Sequence, residues 1–189
     1  EGLQVLKQVP SVRGAMLHLV LLYSLLAALY VLALQLAALI ESLGPSGFGA
    51  LLAMSGVGMA IGAVVIAQAG HRFSRRILSA TGLGTITWTL VLLSQLRGSL
   101  VFTLSLCGIL GVGAALVAIP AQTTIQEETP ESERGRVFGL QNNLINIALS
   151  LPLVLAGTLV SSIGLQPVLL LLAGLALTAA LIERQWQRC

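Results

Sequence analysis

The chain contains no aspartate, and its seven acidic residues are all glutamates placed at the chain ends or between apolar stretches. Charged residues make up only 9% of the 189 positions, whereas a soluble domain carries about 25%. So few charges cannot cover a water-facing surface, which excludes an ordinary soluble domain. Two cysteines, Cys107 inside an apolar run and Cys189 at the last position, are too few and too badly placed for a disulfide framework. Both are expected as free thiols. Aromatic residues amount to 4%, and Tyr23, Tyr30, Trp88, Phe102 and Trp186 are too scattered for a cofactor box. Trp186 fits an interfacial anchor. Also missing are a Gly-x-Ser-x-Gly elbow, a phosphate-binding Gly-Lys-Ser loop and any His and Cys cluster at metal-ligand spacing. No cofactor and no metal are therefore expected, and an enzyme is disfavoured.

Hydrophobic residues fill 56% of the chain, with a mean hydropathy of +0.95. A membrane helix needs roughly 20 apolar residues to cross about 30 Å of hydrocarbon. Six stretches meet that length: Gly14 to Ile40, Gly47 to Ala69, Ile77 to Leu96, Ser99 to Ile125, Val137 to Val160 and Leu165 to Ile182. A membrane strand would be about half as long and would alternate polar with apolar residues. These runs do neither, so the expected fold is all-α and polytopic, with six transmembrane helices in two three-helix repeats. The division is 1–13 as an interfacial lead-in, 14–98 and 99–184 as the repeats, and 185–189 as a tail.

The lead-in places Leu3, Leu6 and Val9 at helical spacing before Pro10, which reads either as an interfacial amphipathic helix or as a linker. It begins at Glu1 without the basic region or cleavage site of a signal peptide. A segment of a longer chain is expected.

The net charge of +3 suits either nucleic acid or the inner side of a membrane, and its placement decides. Lys7, Arg13, Arg72, Arg75, Arg76, Arg134, Arg136, Arg184 and Arg188 fall on one side of a six-span topology, and Arg97 alone on the other. By the positive-inside rule both termini and the two longer loops are cytoplasmic. No nucleic-acid partner is expected.

None of the spans contains Asp, Glu, Lys or Arg, so a proton-coupling carboxylate is not found here. The neutral polar set is His18, Gln35, Gln68, Gln122, Asn142, Asn143 and Asn146. The asparagines share much of one helical face, three and four residues apart. An amide facing lipid would be unsatisfied, so that face is expected to point into the bundle or a wet cavity. Interhelical hydrogen bonding and lining of a solute path both account for it. His18 reads as an interfacial donor or as a proton carrier. Gly58 and Gly62 form a small-xxx-small pair for close helix packing, and Gly108, Gly111 and Gly113 precede Pro120. Packing and helix bending are both open readings.

The stretch Ala67 to Arg76 resembles the loop signature of major facilitator transporters, Gly-x-Leu-Ala-Asp-Arg-Phe-Gly-Arg-Arg. Arg72, Phe73, Arg75 and Arg76 match; Ala67, His71 and Ser74 depart from the first Gly, the Asp and the second Gly. In that family the signature is strong between the second and third helices and weaker between the eighth and ninth. The degraded copy implies the C-terminal half, helices seven to twelve. The stretch from Gln122 to Gly139 looks like the link between helices ten and eleven in bacterial exporters of this class. The opening, with Glu1, Gly2, Leu3, Pro10 and Arg13, resembles the lead into helix seven in the macrolide-efflux and enterobactin-exporter branch.

The resemblance implies an alternating-access transporter in a bacterial inner membrane, moving a small molecule outward, with an N-terminal six-helix half as partner. By the same analogy Gln35 and Gln122, on helices seven and ten, line the cavity. The basic loop then has two readings: a topological anchor, or a latch in which Arg72 or Arg76 pairs with Glu127 or Glu131. The rival to transport is a non-transporting six-helix scaffold or assembly factor.

Overall fold

The computed structural model describes residues 9–40, 44, 47–95 and 99–186, without the side chains of 69, 71 and 183–186. Most of the lead-in with Lys7, most of the first loop, Arg97, and the end of the tail with Arg188 and Cys189 lie outside the described residues. So do the side chains of His71, Arg184 and Trp186. Six helices account for nearly all the rest: α1 Pro10–Ala38, α2 Phe48–Ala69, α3 Arg75–Gln95, α4 Leu100–Glu128, α5 Arg134–Ile163 and α6 Leu165–Trp186. All six are long and apolar enough to cross a membrane. No strand occurs among the described residues.

The helices overrun most of the apolar spans. Hydropathy registers only the hydrocarbon layer, while the backbone continues its own hydrogen bonding into the charged margin. Thus α5 starts at Arg134 rather than Val137, and α4 ends at Glu128 rather than Ile125. The largest shift is at the start of the chain. Pro10 to Arg13, expected in a lead-in, form the first turn of α1, with Pro10 in the first turn, where its missing N–H costs nothing. Val12 is already fully buried there.

Two short 3-10 turns, Gly70–Arg72 and Glu131–Glu133, join α2 to α3 and α4 to α5. The turn between α5 and α6 is tighter. Gly164 has φ 87° and ψ 170°, a combination open in practice only to glycine. Its N–H bonds back to the Val160 carbonyl at 3.0 Å.

The most extensive helix contacts are α2 on α4, α3 on α4, α3 on α6 and α1 on α5, followed by α1 on α4. The main core joins α1, α3, α4 and α6 through Leu22, Leu25, Leu32, Leu83, Ile86, Leu90, Leu106, Val168 and Leu169. A smaller cluster at the basic end joins Val12, Ala15, Met16 and Leu19 of α1 to Ala121 and Ile125 of α4 and Val137 of α5. Hydroxyls do not disturb this packing. On α3, Thr81, Thr85, Thr87, Thr89 and Ser94 each donate to a carbonyl one turn back, which satisfies them without water.

Candidate functional site

At the basic end, the C-terminus of α4 is tied to two other helices. Arg75, in the first turn of α3, forms an ion pair with Glu127 and donates to Thr124 Oγ1 at 3.3 Å. Thr124 in turn donates to the Pro120 carbonyl at 2.9 Å. Ser11 of α1 donates to the Glu128 carboxylate. The expected latch is corrected here: Arg75, and neither Arg72 nor Arg76, holds Glu127. Glu131 pairs with its own neighbour Arg134 at 3.5 Å, and Arg136 holds Glu133 at 3.1 Å. The reason lies in the backbone. The 3-10 turn over Gly70–Arg72 places Arg75 at the start of α3, beside α4, and leaves Arg72, Phe73 and Arg76 exposed.

The polar residues within the spans divide by environment. Asn142, Asn143 and Asn146 are all exposed, and within this chain none of their side chains bonds another helix among the described residues. Interhelical bonding inside the six-helix unit therefore does not account for them. The pattern along α5 explains why. Its buried residues, Val137, Gln141, Ala148 and Ala156, follow one another at steps of four, seven and eight residues, close to one, two and two helical turns, and this stripe packs toward α1. A second, apolar face carries Ile147, Leu151 and Val154, all exposed. The third face, roughly opposite the α1 contact at about 100° per residue, carries Gly139, Asn142, Asn143, Asn146 and Ser150.

Gln122, expected on the solute path, has its amide oxygen engaged within the chain. Its Oε1 accepts from Gln141 Nε2 at 2.7 Å, bridging α4 and α5. Gln141 is only 7% exposed, and its Oε1 has no partner. Sequence reasoning missed Gln141 because a fourth amide beside Asn142 carries no mark of its own. Its register, four residues from Val137 and seven from Ala148 on the α1-facing stripe, is the signal that separates it. Gln35 is exposed near the far end of α1, about 36 Å along the axis from Ser11, whereas Asn146 lies about 18 Å along α5 from Arg134. Gln68 is exposed at the end of α2. His18 Nδ1–H donates to the Gly14 carbonyl at 2.9 Å.

Gly58 and Gly62 lie where α2 and α4 meet backbone to backbone. A Cβ at Gly58 would overlap the Gly108 carbonyl, and one at Gly62 would stand 2.7 Å from Ala115 Cβ. From the other side, a Cβ at Gly111 would overlap the Ser55 carbonyl. A second seam joins α3 to α4, where a Cβ on Gly82 would reach the Gly113 carbonyl at 2.7 Å. Helix α4 is thus held on two sides by glycine contacts, the arrangement lipid favours because packing rather than water expulsion drives association there. Cys107 is buried in the cluster that joins α1, α2 and α4 near Leu51.

In chemical terms this six-helix bundle offers neutral hydrogen-bonding groups on one face of α5 and a charged network at one end. No group of His, Cys, Asp or Glu among the described residues is arranged to hold a metal ion. None of the curated proteins matches the chain. The family model of the Major Facilitator Superfamily matches residues 16–184, which takes in α2 to α5 whole and most of α1 and α6. The six-helix architecture agrees with half of that fold, and the chain belongs to the Major Facilitator Superfamily.

Proposed function

We propose that this chain is the C-terminal six-helix half, helices seven to twelve, of an exporter that moves a small, partly apolar molecule by alternating access. The observation that carries the reading is the face of α5 bearing Asn142, Asn143 and Asn146, which the other five helices leave uncovered. Amides held against hydrocarbon would be unsatisfied at a cost of about 1–3 kcal/mol each by protein mutational estimates. A water-filled path between two halves removes that cost, and transporters of this kind place their solute site at such an interface.

Residues 14–98 and 99–184 act as the two repeats. In support, α2 packs on α4 as α1 packs on α5, and these contacts exchange when the repeats are interchanged. The repeats are not equal: α3 packs closely on α4, while α6 barely touches α1. The basic end faces the cytoplasm of a bacterial cell, in keeping with the positive-inside rule. Outward direction and the macrolide-efflux and enterobactin-exporter branch rest on the resemblance of the loop and lead-in motifs alone.

Replacing Asn146 by Leu tests the path assignment, since the two side chains are similar in size and only one carries an amide. In the full-length protein, normal thermal stability with altered flux or substrate preference supports it. Unchanged flux together with lost stability would instead make the amide a packing element, as a non-transporting scaffold requires.

A further inference from the structure

The arginines at the basic end are not equivalent. Arg75, Arg134 and Arg136 are each matched by a glutamate. Arg72 and Arg76 are exposed and have no acidic partner among the described residues. They stand at the N-terminus of α3, whose first turn contains no acidic residue. Glu127 offsets only Arg75 there, and Ser74 Oγ accepts from the Ile77 N–H at 3.3 Å. The two unmatched guanidinium groups beside the positive end of the helix dipole still leave a net positive surface that favours an anion. Beside them Phe73 is exposed as well.

From this point an apolar face runs along α3. Ile77, Thr81, Gly84 and Trp88 are all exposed, and their spacing of four, three and four residues puts them in one line. Thr81 and Gly84 are small, the Thr81 hydroxyl is turned back onto the Leu78 carbonyl at 2.9 Å, and nothing lies within 4 Å of a Cβ built on Gly84. Ile77 and the 66%-exposed Trp88 rise at the two ends of this line. The result is a shallow furrow bounded by two large side chains. From Arg76 to Trp88 is about 18 Å along the helix, close to one leaflet of a hydrocarbon core about 30 Å thick. Helix α3 packs against α4 and α6, whereas α5 packs against α1. The furrow and the amide face therefore stand on two helices that do not pack against each other.

We infer that this flank binds one anionic phospholipid, its phosphate on Arg72 and Arg76 at the N-terminus of α3 and an acyl chain along the Ile77–Thr81–Gly84–Trp88 furrow. Charge complementarity selects an anionic headgroup, and the apolar furrow one leaflet long selects a lipid over a soluble phosphate. The site is independent of the solute path and does not rest on the direction of transport.

Trp88 is a native reporter at the furrow's inner end. With Trp186→Phe removing the only other tryptophan, the chain is reconstituted in phosphatidylcholine vesicles containing a small fraction of brominated phosphatidylglycerol or, separately, brominated phosphatidylcholine. Brominated phosphatidylglycerol should quench Trp88 well beyond brominated phosphatidylcholine at the same fraction. Arg72→Gln with Arg76→Gln should weaken that preference about thirty-fold. Arg13→Gln, at another exposed arginine of the same end, should leave it unchanged. Gly84→Leu should abolish the excess quenching, and Gly84→Ala, whose Cβ meets nothing within 4 Å, should melt as the parent does, so that the loss is not a folding failure. Equal quenching by the two lipids would overturn the inference. So would an Arg13→Gln effect as large as that of the pair, which would mean diffuse attraction only. Full excess quenching in Gly84→Leu would overturn the furrow.

Discussion

Gln141 Nε2 donates to Gln122 Oε1 across 2.7 Å, and this bridge spans two helices, α4 and α5, that otherwise scarcely touch. Helix α1 packs against both, so the amide pair fixes their separation at the basic end. Because Gln141 Oε1 already lacks a partner, the bridge works close to the limit of what a buried amide tolerates.

Gln141→Leu and Gln122→Leu should each lower thermal stability by about 1–2 kcal/mol. The double replacement should cost less than the sum, because it leaves no orphaned amide. Melting of the four proteins in one detergent closes the double-mutant cycle; strict additivity would mean the amides do not interact.

Gly58→Ala and Gly111→Ala place a methyl group against a carbonyl of the facing helix, and backbone cannot move aside as a flexible side chain can. Each should destabilise by about 1–3 kcal/mol. Gly56→Ala, whose added Cβ meets nothing, should be neutral or slightly stabilising. Heat-induced aggregation followed by size-exclusion chromatography would rank them, and a neutral Gly111→Ala would refute the close approach of α2 and α4.

Arg75 and Glu127 form a half-exposed pair, with side chains 41% and 60% exposed. Arg75→Gln should therefore cost well under about 1 kcal/mol, and the effect should shrink as salt is raised. Comparison of melting points at low and high ionic strength checks this. A large, salt-independent loss would point instead to the Thr124 contact as the stabilising element.

These residues also show which features were readable in advance. Six spans were legible because lipid demands length and apolarity, and both are properties of single segments. The small-xxx-small spacing of Gly58 and Gly62 was legible for the same reason, but Gly108 and Ala115 as their counterparts depended on how α2 crosses α4. The basic loop was recognisable from Arg72, Phe73, Arg75 and Arg76, yet which arginine would find Glu127 turned on one 3-10 turn. The asparagine face was visible as a spacing. Whether it would be covered was not, since that depends on the rotation of α5 against α1, which apolar residues distributed around the whole helix do not specify.

The proposed orientation of the chain in the membrane rests on where its arginines stand. Single cysteines at Ser74 and Ser162, in a background with Cys107→Ser and Cys189→Ser, should react with membrane-impermeant maleimide from opposite sides. Ser74 should be reached only after the cytoplasmic face is opened, and Ser162 in intact cells. Labelling of both from one side would contradict the six-span topology.

The most direct test of the central claim, that the amide face of α5 borders a water-filled path, is the aqueous accessibility of single cysteines along that helix in the full-length protein in its membrane. Positions 142, 143 and 146 should react readily with a small charged thiol reagent, whereas 147, 151 and 154, on the apolar face, should not. Inert cysteines at all three asparagine positions, or equal reactivity on both faces, would contradict it.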